Sequence, residues 1–226
     1  MVLTYAVSPD VLRPRIPRGT ELDLWRGESL VSLVGFHFRD TRVRGIAVPG
    51  HRDFEEVNLR FYVRRVGAGP VRRAVVFIRE LVPRSVVAAI ARWRYNEPYL
   101  AVPMSHAITG DAERGCTIRY TWRHRGDRFA IEAVTQGPPD LVREGSEAEF
   151  ITEHHWGYTR QRDGGTLEYE VEHPRWRVWA PSAFAFTGPA PTLYGATLGA
   201  ALGGAPRSVF VADGSPVVVH SGRRVA

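Results

Sequence analysis

Short strand-like segments separated by glycine and proline turns dominate this sequence. The clearest is 55–64, Glu-Glu-Val-Asn-Leu-Arg-Phe-Tyr-Val-Arg, where apolar and polar residues alternate with the period of two typical of a β-strand. We predict at least ten strands and only short helices, a pattern that argues against parallel βαβ units. The sequence therefore predicts a mainly β, α+β fold, an antiparallel barrel or sandwich with a few short helices, formed as a single domain over 1–226.

Turn residues and capping residues set the expected element boundaries. The predicted strands are 2–7, 21–25, 29–38, 55–64, 73–81, 99–108, 116–124, 128–135, 155–161, 166–173 and 177–186, followed by two short strands on either side of Asp213-Gly214. Short helices are predicted after Ser8, over 86–93, after Ser146 and over 192–202. Hairpins are expected for 21–25 with 29–38, 55–64 with 73–81, and 155–161 with 166–173.

Lysine is absent, and all 30 basic residues are arginines. A guanidinium group stays protonated and does not attack a carbonyl, so Schiff-base chemistry on a side-chain amine is excluded, as is a phosphate-loop lysine. A GC-rich genome would explain the same composition, and the exclusion holds under either explanation. Carboxylates, imidazoles, phenols and arginine electrostatics remain available for chemistry.

The formal net charge of +6 and a pI of about 10.0 bring nucleic acid and acidic lipid into consideration. The arginines are scattered as singles and pairs, without a nucleic-acid-binding motif, so we predict no nucleic-acid partner. Prolines and glycines interrupt the uncharged stretch 178–206, so we predict no membrane partner either. The single Cys116 and the absence of a visible signal peptide favour a cytoplasmic protein, and a homo-oligomer is left open.

One face of the strand 55–64 carries Asn58, Arg60 and Tyr62, spaced by about 7 Å from one to the next. If the apolar face of this strand packs beneath helices, the polar face lines the interior. Arg60 can then hold a carboxylate through paired hydrogen bonds. Alternation alone leaves open the possibility that this face is exposed to solvent.

Histidines cluster in sequence around the predicted hairpin of 155–161 with 166–173. A two-residue turn would place His154 near His173 beside Glu153, and Tyr158 opposite Tyr169. These histidines can form structural hydrogen bonds or act as general acids and bases. Since the spacing of metal-binding motifs is missing, we predict no metal and no cofactor.

Glu80 and Glu97 stand in apolar surroundings. Burial would raise the pKa of either carboxyl and suit it to proton transfer near neutral pH. The alternative for each is a salt bridge to one of the many arginines.

Four stretches, 3–7, 17–23, 56–64 and 150–158, together resemble the YqjF-like family of uncharacterised bacterial proteins, with Val-Asn-Leu-Arg-Phe-Tyr-Val as the most specific marker. That family is similar in fold to acetoacetate decarboxylase, which implies a largely antiparallel β barrel or cone enclosing a pocket for a small keto acid. Acetoacetate decarboxylase forms an iminium through a pocket lysine, whereas the corresponding region here, 99–104, contains no amine. The resemblance thus implies the architecture and not that reaction.

We therefore expect an interior pocket for a small anionic organic molecule such as a keto acid, with Arg60 as the anion anchor and Asn58 and Tyr62 orienting the ligand. The predicted ligand-binding set is completed by Tyr95, Glu97, His106 and Tyr158. Proton transfer is assigned to Glu80, assisted by Glu153, His155 or His173. Whether the ligand is turned over is left open, and the alternative is a non-catalytic binding or regulatory module.

Overall fold

The computed structural model describes residues 1–43, 46–47, 53–67 and 69–225. Its strands are β1 (Val2–Val7), β2 (Glu21–Leu22), β3 (Ser29–Phe38), β4 (Arg42–Val43), β5 (Ile46–Ala47), β6 (Phe54–Arg65), β7 (Arg72–Val82), β8 (Tyr99–Ala101), β9 (Met104–Asp111), β10 (Gly115–His124), β11 (Asp127–Val134), β12 (Asp140–Leu141), β13 (Trp156–Arg160), β14 (Thr166–Glu172), β15 (Arg177–Trp179), β16 (Ala183–Thr187), β17 (Ser208–Ala212), β18 (Val218–Val219) and β19 (Arg223–Arg224). Its α-helices are α1 (Pro9–Leu12), α2 (Ser85–Arg94), α3 (Glu147–Thr152), α4 (Ala190–Tyr194) and α5 (Ala196–Leu202).

Two sheets share the core. The large sheet runs in the order β12-β15-β17-β1-β3-β6-β7-β13-β14-β18, with β2, β8 and β19 paired at its sides. The second sheet has the order β16-β11-β10-β9. The expected mainly β, α+β fold is confirmed.

The antiparallel barrel that the sequence predicted is not found in the described part of the chain, and the sheet is not antiparallel throughout. No closed barrel forms within the described ranges, and β7 pairs in parallel with both β8 and β13. Helix α2 connects β7 to β8, and such a crossover allows successive strands to run in the same direction. The sheet is therefore mixed at β7.

Local signals predicted several elements correctly. The hairpin of β6 and β7 forms as expected, with a register shift between Leu59 and Arg60 at which Ile78 of β7 is the extra residue. Ser8 and Ser146 cap α1 and α3, and each side chain accepts a hydrogen bond from a backbone N–H in the first turn.

Proline and long-range pairing changed other elements. The predicted strand 99–108 divides at Val102-Pro103 into β8 and β9, and 177–186 divides at 180–182, which includes Pro181, into β15 and β16. In both cases the two parts join different sheets. Proline lacks the N–H that a central strand must donate, so each break falls where the chain leaves one sheet for the other. The predicted helix 192–202 begins earlier and is broken at Gly195.

The hairpin predicted for 21–25 with 29–38 is also wrong. Strand β2 pairs with β6, with Glu21 opposite Arg64, and β3 lies between β1 and β6. The long apolar strand β3 is buried more completely between two long neighbours than beside the short β2.

The core between the sheets fixes which face of β6 is apolar. Val57, Leu59 and Phe61 are buried there with side chains of β10, β11, α4 and α5. The sheets approach closely at Gly35, where an added Cβ would lie 2.5 Å from Ile131 Cδ1. The alternate residues of β6 consequently lie on the other side of the large sheet.

Candidate functional site

The polar face of β6 is an interior surface along much of its length. Asn58 and Tyr62 are each 1% exposed, and Arg60 is half-buried. Helix α3 and the residues that follow it cover this face at Tyr62. The centre of the Tyr62 ring lies 5.4 Å from that of Phe150 in α3 and 4.7 Å from that of His154 after the helix. The alternative of a wet strand face therefore does not hold for Asn58 and Tyr62.

Two buried glutamates lie beside Asn58. Glu56 accepts hydrogen bonds from Asn58 Nδ2 at 2.9 Å and from the Tyr99 hydroxyl at 3.0 Å. Glu80 is directly opposite Asn58 on β7, and its Oε2 atom has no hydrogen-bond partner. Glu56 is thus held by two donors, whereas Glu80 keeps one oxygen unused.

A third buried carboxyl, that of Glu97, is held by the neighbouring hairpin. The hydroxyl of Thr159 donates to Glu97 Oε1, and the hydroxyl of Tyr169 donates to the same oxygen at 3.0 Å. Tyr169 lies opposite Gly157 in the β13–β14 pairing. The absence of a side chain on Gly157 leaves room for the Tyr169 ring, which an added Cβ would approach to 2.2 Å.

These carboxyls meet because the outer edge of β7 is shared by two strands. Strand β13 pairs with its first half at Ala74 and Val75, and β8 pairs with its second half from Glu80 onward. Glu97 lies two residues before β8, and it accepts hydrogen bonds from Thr159 of β13 and Tyr169 of β14. These bonds connect the two strands that share the edge of β7, an arrangement that we call the fork. The fork is therefore what assembles the cluster, which we call the glutamate cluster: Glu56, Glu80 and Glu97.

Burial shifts the acidity of all three groups. It raises the pKa of Glu56 to about 7 and that of Glu97 to about 7, although hydroxyl and amide donors oppose the shift. Burial raises the pKa of Glu80 as well, and the nearby charges of Glu97 and Glu56 add to that effect. Neither Glu80 nor Glu97 forms an arginine salt bridge within the described residues. The arrangement suits proton transfer near neutral pH.

This cluster predicts a loss of stability as the pH rises. A carboxyl whose pKa is raised from 4.5 to about 7 stabilises the fold fully below pH 4.5, and this contribution is lost as the pH rises through 7. We expect a decrease in the free energy of unfolding on the order of 3 kcal/mol for each such group. Urea denaturation at pH 5, 7 and 8.5 would measure it.

A Glu80→Gln variant is the matched test of that prediction. Glutamine resembles the protonated acid and cannot ionise, so the variant should match the wild type at pH 5 and be more stable at pH 8.5. Glu172→Gln, at an exposed position on β14, should change neither value by more than about 0.5 kcal/mol. If the free energy of unfolding depended on pH in the same way for the wild type and Glu80→Gln, the prediction that ionisation of the glutamate cluster destabilises the protein would be contradicted.

Arg60 lies on the same face and has no carboxylate partner within the described part of the chain. Its guanidinium carbon is 5.9 Å from the centre of the Tyr62 ring, and its Nε atom is buried without a hydrogen-bond partner. The Tyr62 hydroxyl instead donates to Ser32 Oγ at 2.6 Å. Tyr62 therefore supports Arg60 through its ring, and its hydroxyl is already engaged.

A second set of acid and base groups includes Glu153, His155 and His173. His155 Nε2 lies 3.1 Å from Glu153 Oε2, and the rings of His155 and His173 are 4.6 Å apart. Glu153 Oε1 is buried without a partner. The positive charge of Arg60 is among the causes that lower the pKa of His173, after burial, which is the largest. All three predicted residues are thus brought together.

The predicted register of this hairpin was wrong by one residue. Tyr158 pairs with Glu168, and it is His155, not His154, whose ring meets His173. Residues 161–165 form the connection in place of a two-residue turn, and a one-residue shift exchanges the faces of a strand. His154 instead contacts Asp23 at 3.1 Å, where burial lowers its pKa to about 4.

Three predicted ligand-binding residues lie outside these two sets. His106 belongs to the second sheet and contacts Glu55, whose side chain leaves β6 on the face opposite Glu56. Tyr158 donates to Glu168 at 2.6 Å among arginines. Tyr95 reaches only the edge of the cluster, with its ring 6.3 Å from that of Tyr169.

Sequence reasoning missed one member of the glutamate cluster, Glu56, and three side chains that donate hydrogen bonds to the cluster, those of Tyr99, Thr159 and Tyr169. Glu56 shares the strand parity of Asn58 and Arg60, so the alternation of β6 did indicate its face. Tyr99, Thr159 and Tyr169 gave no comparable signal, because their positions depend on how β8 and β13 divide the edge of β7.

Comparison with known proteins addresses the family. Residues 1–216 match DUF2071, a family described as an uncharacterized conserved protein. The chain belongs to this family. The DUF2071 chain is 28% identical over 177 residues to the uncharacterized protein YqjF of Bacillus subtilis (strain 168), which covers 76% of this chain and 69% of YqjF. The resemblance to YqjF-like proteins is thereby confirmed.

Solved structures show the fold of this DUF2071 member. It is similar to acetoacetate decarboxylase from Legionella pneumophila, with a TM-score of 0.66 and 14% identity over 100% of this chain and 83% of that one. It also resembles the enduracididine biosynthesis enzyme MppR complexed with pyruvate, with a TM-score of 0.63 and 15% identity over 99% and 86% of the two chains. At these identities the likeness concerns the fold alone. Within the described ranges, no helix has the length and apolar character needed to cross a bilayer.

Proposed function

We propose that the interior face around Arg60 binds a small carboxylic acid, with a keto acid as the first class to test. The observation that carries this proposal is the Arg60 guanidinium, which lies on a covered face with a buried, unpartnered Nε and no carboxylate partner in the described residues. A buried donor of this kind costs stability unless a ligand satisfies it. A carboxylate accepts two parallel hydrogen bonds from one guanidinium, which makes it the best-matched group.

The groups around Arg60 can position the rest of such a ligand. Asn58 Oδ1, Glu80 Oε2 and Glu153 Oε1 are all buried without partners. Asn58 lies two residues from Arg60 on the same strand face, and Glu80 is opposite Asn58. A carbonyl or hydroxyl next to the carboxylate would therefore find both amide and carboxyl groups. The pyruvate complex of MppR, a protein of similar fold, supports a small keto acid as the ligand.

For chemistry, we assign proton delivery to Glu80. Its raised pKa keeps it in the acid form, which donates a proton to the carbonyl oxygen of a bound keto acid. The pair of His155 and Glu153 accepts the proton from the adjacent carbon. The C–H electron pair becomes the new C=C bond, and the carbonyl π pair forms the O–H bond, which is an enolisation without an iminium.

Ligand binding is tested by calorimetric titration of pyruvate and other keto acids into the wild type, Arg60→Gln and Arg64→Gln. Arg64 lies on the same strand but is half-exposed and paired with Glu21, so it is the matched control. We expect Arg60→Gln to weaken binding at least tenfold, because a charge-assisted bidentate contact is lost, and Arg64→Gln to leave it unchanged. Retained affinity in Arg60→Gln would remove the anchor assignment.

The second candidate is a binding module without turnover. The two donors that hold each of Glu56 and Glu97 favour it, because they fix these two carboxyls in place and already satisfy them. Exchange of the pyruvate methyl protons in deuterated water, followed by NMR, separates the two. An enolising enzyme should show exchange that Glu80→Gln abolishes while binding persists. Binding without exchange in the wild type would establish the module.

A further inference from the structure

A row of small side chains crosses the outer face of the second sheet. Ser105 pairs with Thr121, Thr121 with Ala130, and Ala130 with Thr187, so one residue from each strand lies in the row. With strands about 4.8 Å apart, the row spans about 14 Å. The hydroxyls of Ser105 and Thr121 lie 2.7 Å apart within it. The row is the floor of a cavity of about 360 Å³.

Arginines stand on both sides of this floor. Arg119 and Arg123 flank Thr121 on β10, each about 7 Å from it, and Arg128 lies directly opposite Arg123. All three side chains line the cavity. Arg119 is 3.5 Å from Glu132, whereas neither Arg123 nor Arg128 has a carboxylate partner within the described chain.

The opposed pair has a physical cost. Like charges directly opposite each other on neighbouring antiparallel strands destabilise a sheet. With Arg119 offset by Glu132, the cavity keeps an excess of two positive charges, which is the charge that a phosphate monoester dianion would neutralise. Two exposed guanidiniums and hydroxyl donors are also the groups that bind phosphate oxygens most effectively.

We propose that this cavity, which we call the arginine groove, is a binding site for a phosphate dianion, carried by a small phosphorylated molecule. Arg123 and Arg128 hold the phosphoryl oxygens from one side, and Arg119 with the hydroxyl of Thr121 completes the contacts. The groove lies on the second sheet, away from the glutamate cluster, so this proposal is independent of the function proposed above. It adds a second ligand class.

The shape of the groove favours a small molecule over nucleic acid. The floor consists of serine, threonine and alanine, without the exposed aromatic side chains on which single-stranded bases stack. Its length of about 14 Å accommodates only a few nucleotides of a polymer. A phosphorylated metabolite fits both the length and the charge.

The test compares two double variants with equal loss of charge. Arg123→Gln/Arg128→Gln removes the opposed pair, and Arg114→Gln/Arg125→Asn removes two exposed turn arginines of the same sheet that do not line the groove. Asparagine is chosen at 125 because this residue has φ 49°, which asparagine tolerates. Calorimetric titrations at low ionic strength use inorganic phosphate and glycerol 3-phosphate, and a single-stranded oligonucleotide serves as a competitor.

We expect the groove variant to bind both phosphates at least tenfold more weakly than the wild type, and the control variant to bind within twofold. Without ligand, the groove variant should unfold at an equal or higher temperature than the wild type, because the charge repulsion is gone. Tighter binding of glycerol 3-phosphate than of inorganic phosphate would support a phosphorylated molecule as the ligand.

Several results would overturn the proposal. Equal losses in the two double variants would show a nonspecific charge effect, and undiminished binding by the groove variant would place the site elsewhere. Absence of binding by the wild type at millimolar phosphate would also reject it. If the oligonucleotide displaced glycerol 3-phosphate and bound more tightly, the ligand of the groove would be nucleic acid and the proposal of a small phosphorylated molecule would be rejected.

Discussion

Substitution of Gly157 by alanine is expected to reduce the free energy of unfolding by about 3 kcal/mol and to disrupt the hydrogen bond from Tyr169 to Glu97. The added Cβ would lie 2.2 Å from Tyr169 Cζ and 2.5 Å from its hydroxyl oxygen. The Tyr169 ring cannot move aside without breaking its hydrogen bond to Glu97. The backbone of β13 is fixed by β7 on one side and by β14 on the other. The overlap therefore becomes strain or a broken contact.

Urea denaturation measures the loss of stability, and the fluorescence or NMR signal of Tyr169 reports its environment. Gly67→Ala is the matched control, because an added Cβ there meets nothing within 4 Å. It should change stability by no more than about 0.5 kcal/mol. A Gly157→Ala variant as stable as Gly67→Ala would show that Tyr169 is not held over the glycine.

Replacement of Glu168 by glutamine should destabilise the protein by about 3 kcal/mol at pH 7. Glu168 is 1% exposed and contacts Arg72 at 2.6 Å, Arg65 at 3.1 Å and Arg223 at 2.9 Å. Glutamine would leave these guanidiniums without their shared counter-charge, although Tyr158 keeps an oxygen acceptor. Partial exposure of the arginines places the loss at the lower end of the range for buried ion pairs.

Glu168 also predicts the acid limb of the stability profile. Burial alone would raise its pKa, but hydrogen bonds from Tyr158 and the arginines lower the pKa from 4.5 to about 2. Its contribution is present above pH 4.5 and is lost as the pH falls through 2. The glutamate cluster has the opposite slope above pH 4.5, so we expect maximum stability near pH 5.

Denaturation from pH 2 to 8.5 checks both limbs. Glu168→Gln should flatten the acid limb, whereas Glu80→Gln should flatten the limb above pH 5. The exposed Glu172→Gln, on the same strand as Glu168, should leave both limbs intact. An acid limb of unchanged slope in Glu168→Gln would mean that another carboxylate governs it.

The sequence by itself determined which residues of β6 share a face. Alternation over 55–64 separated Val57, Leu59 and Phe61 from Asn58 and Arg60, and the structure buries the first group between the sheets. Serine capping of α1 and α3 and the hairpin of β6 and β7 were also local decisions. These features depend on residues a few positions apart, so a short stretch of sequence is enough to predict them.

Only the tertiary structure decided which segments meet. The pairing of β13 with β7 and the pairing of β2 with β6 join residues far apart in the chain. The position of Tyr169 over Gly157 depends on the register of the β13–β14 hairpin. Period-two alternation indicates which face of a strand is buried, but it does not identify the strand with which it pairs. A register error of one residue exchanged His154 for His155 beside His173. Long-range pairing depends on the total burial of side chains and on loop geometry, and neither can be predicted from a short stretch of sequence.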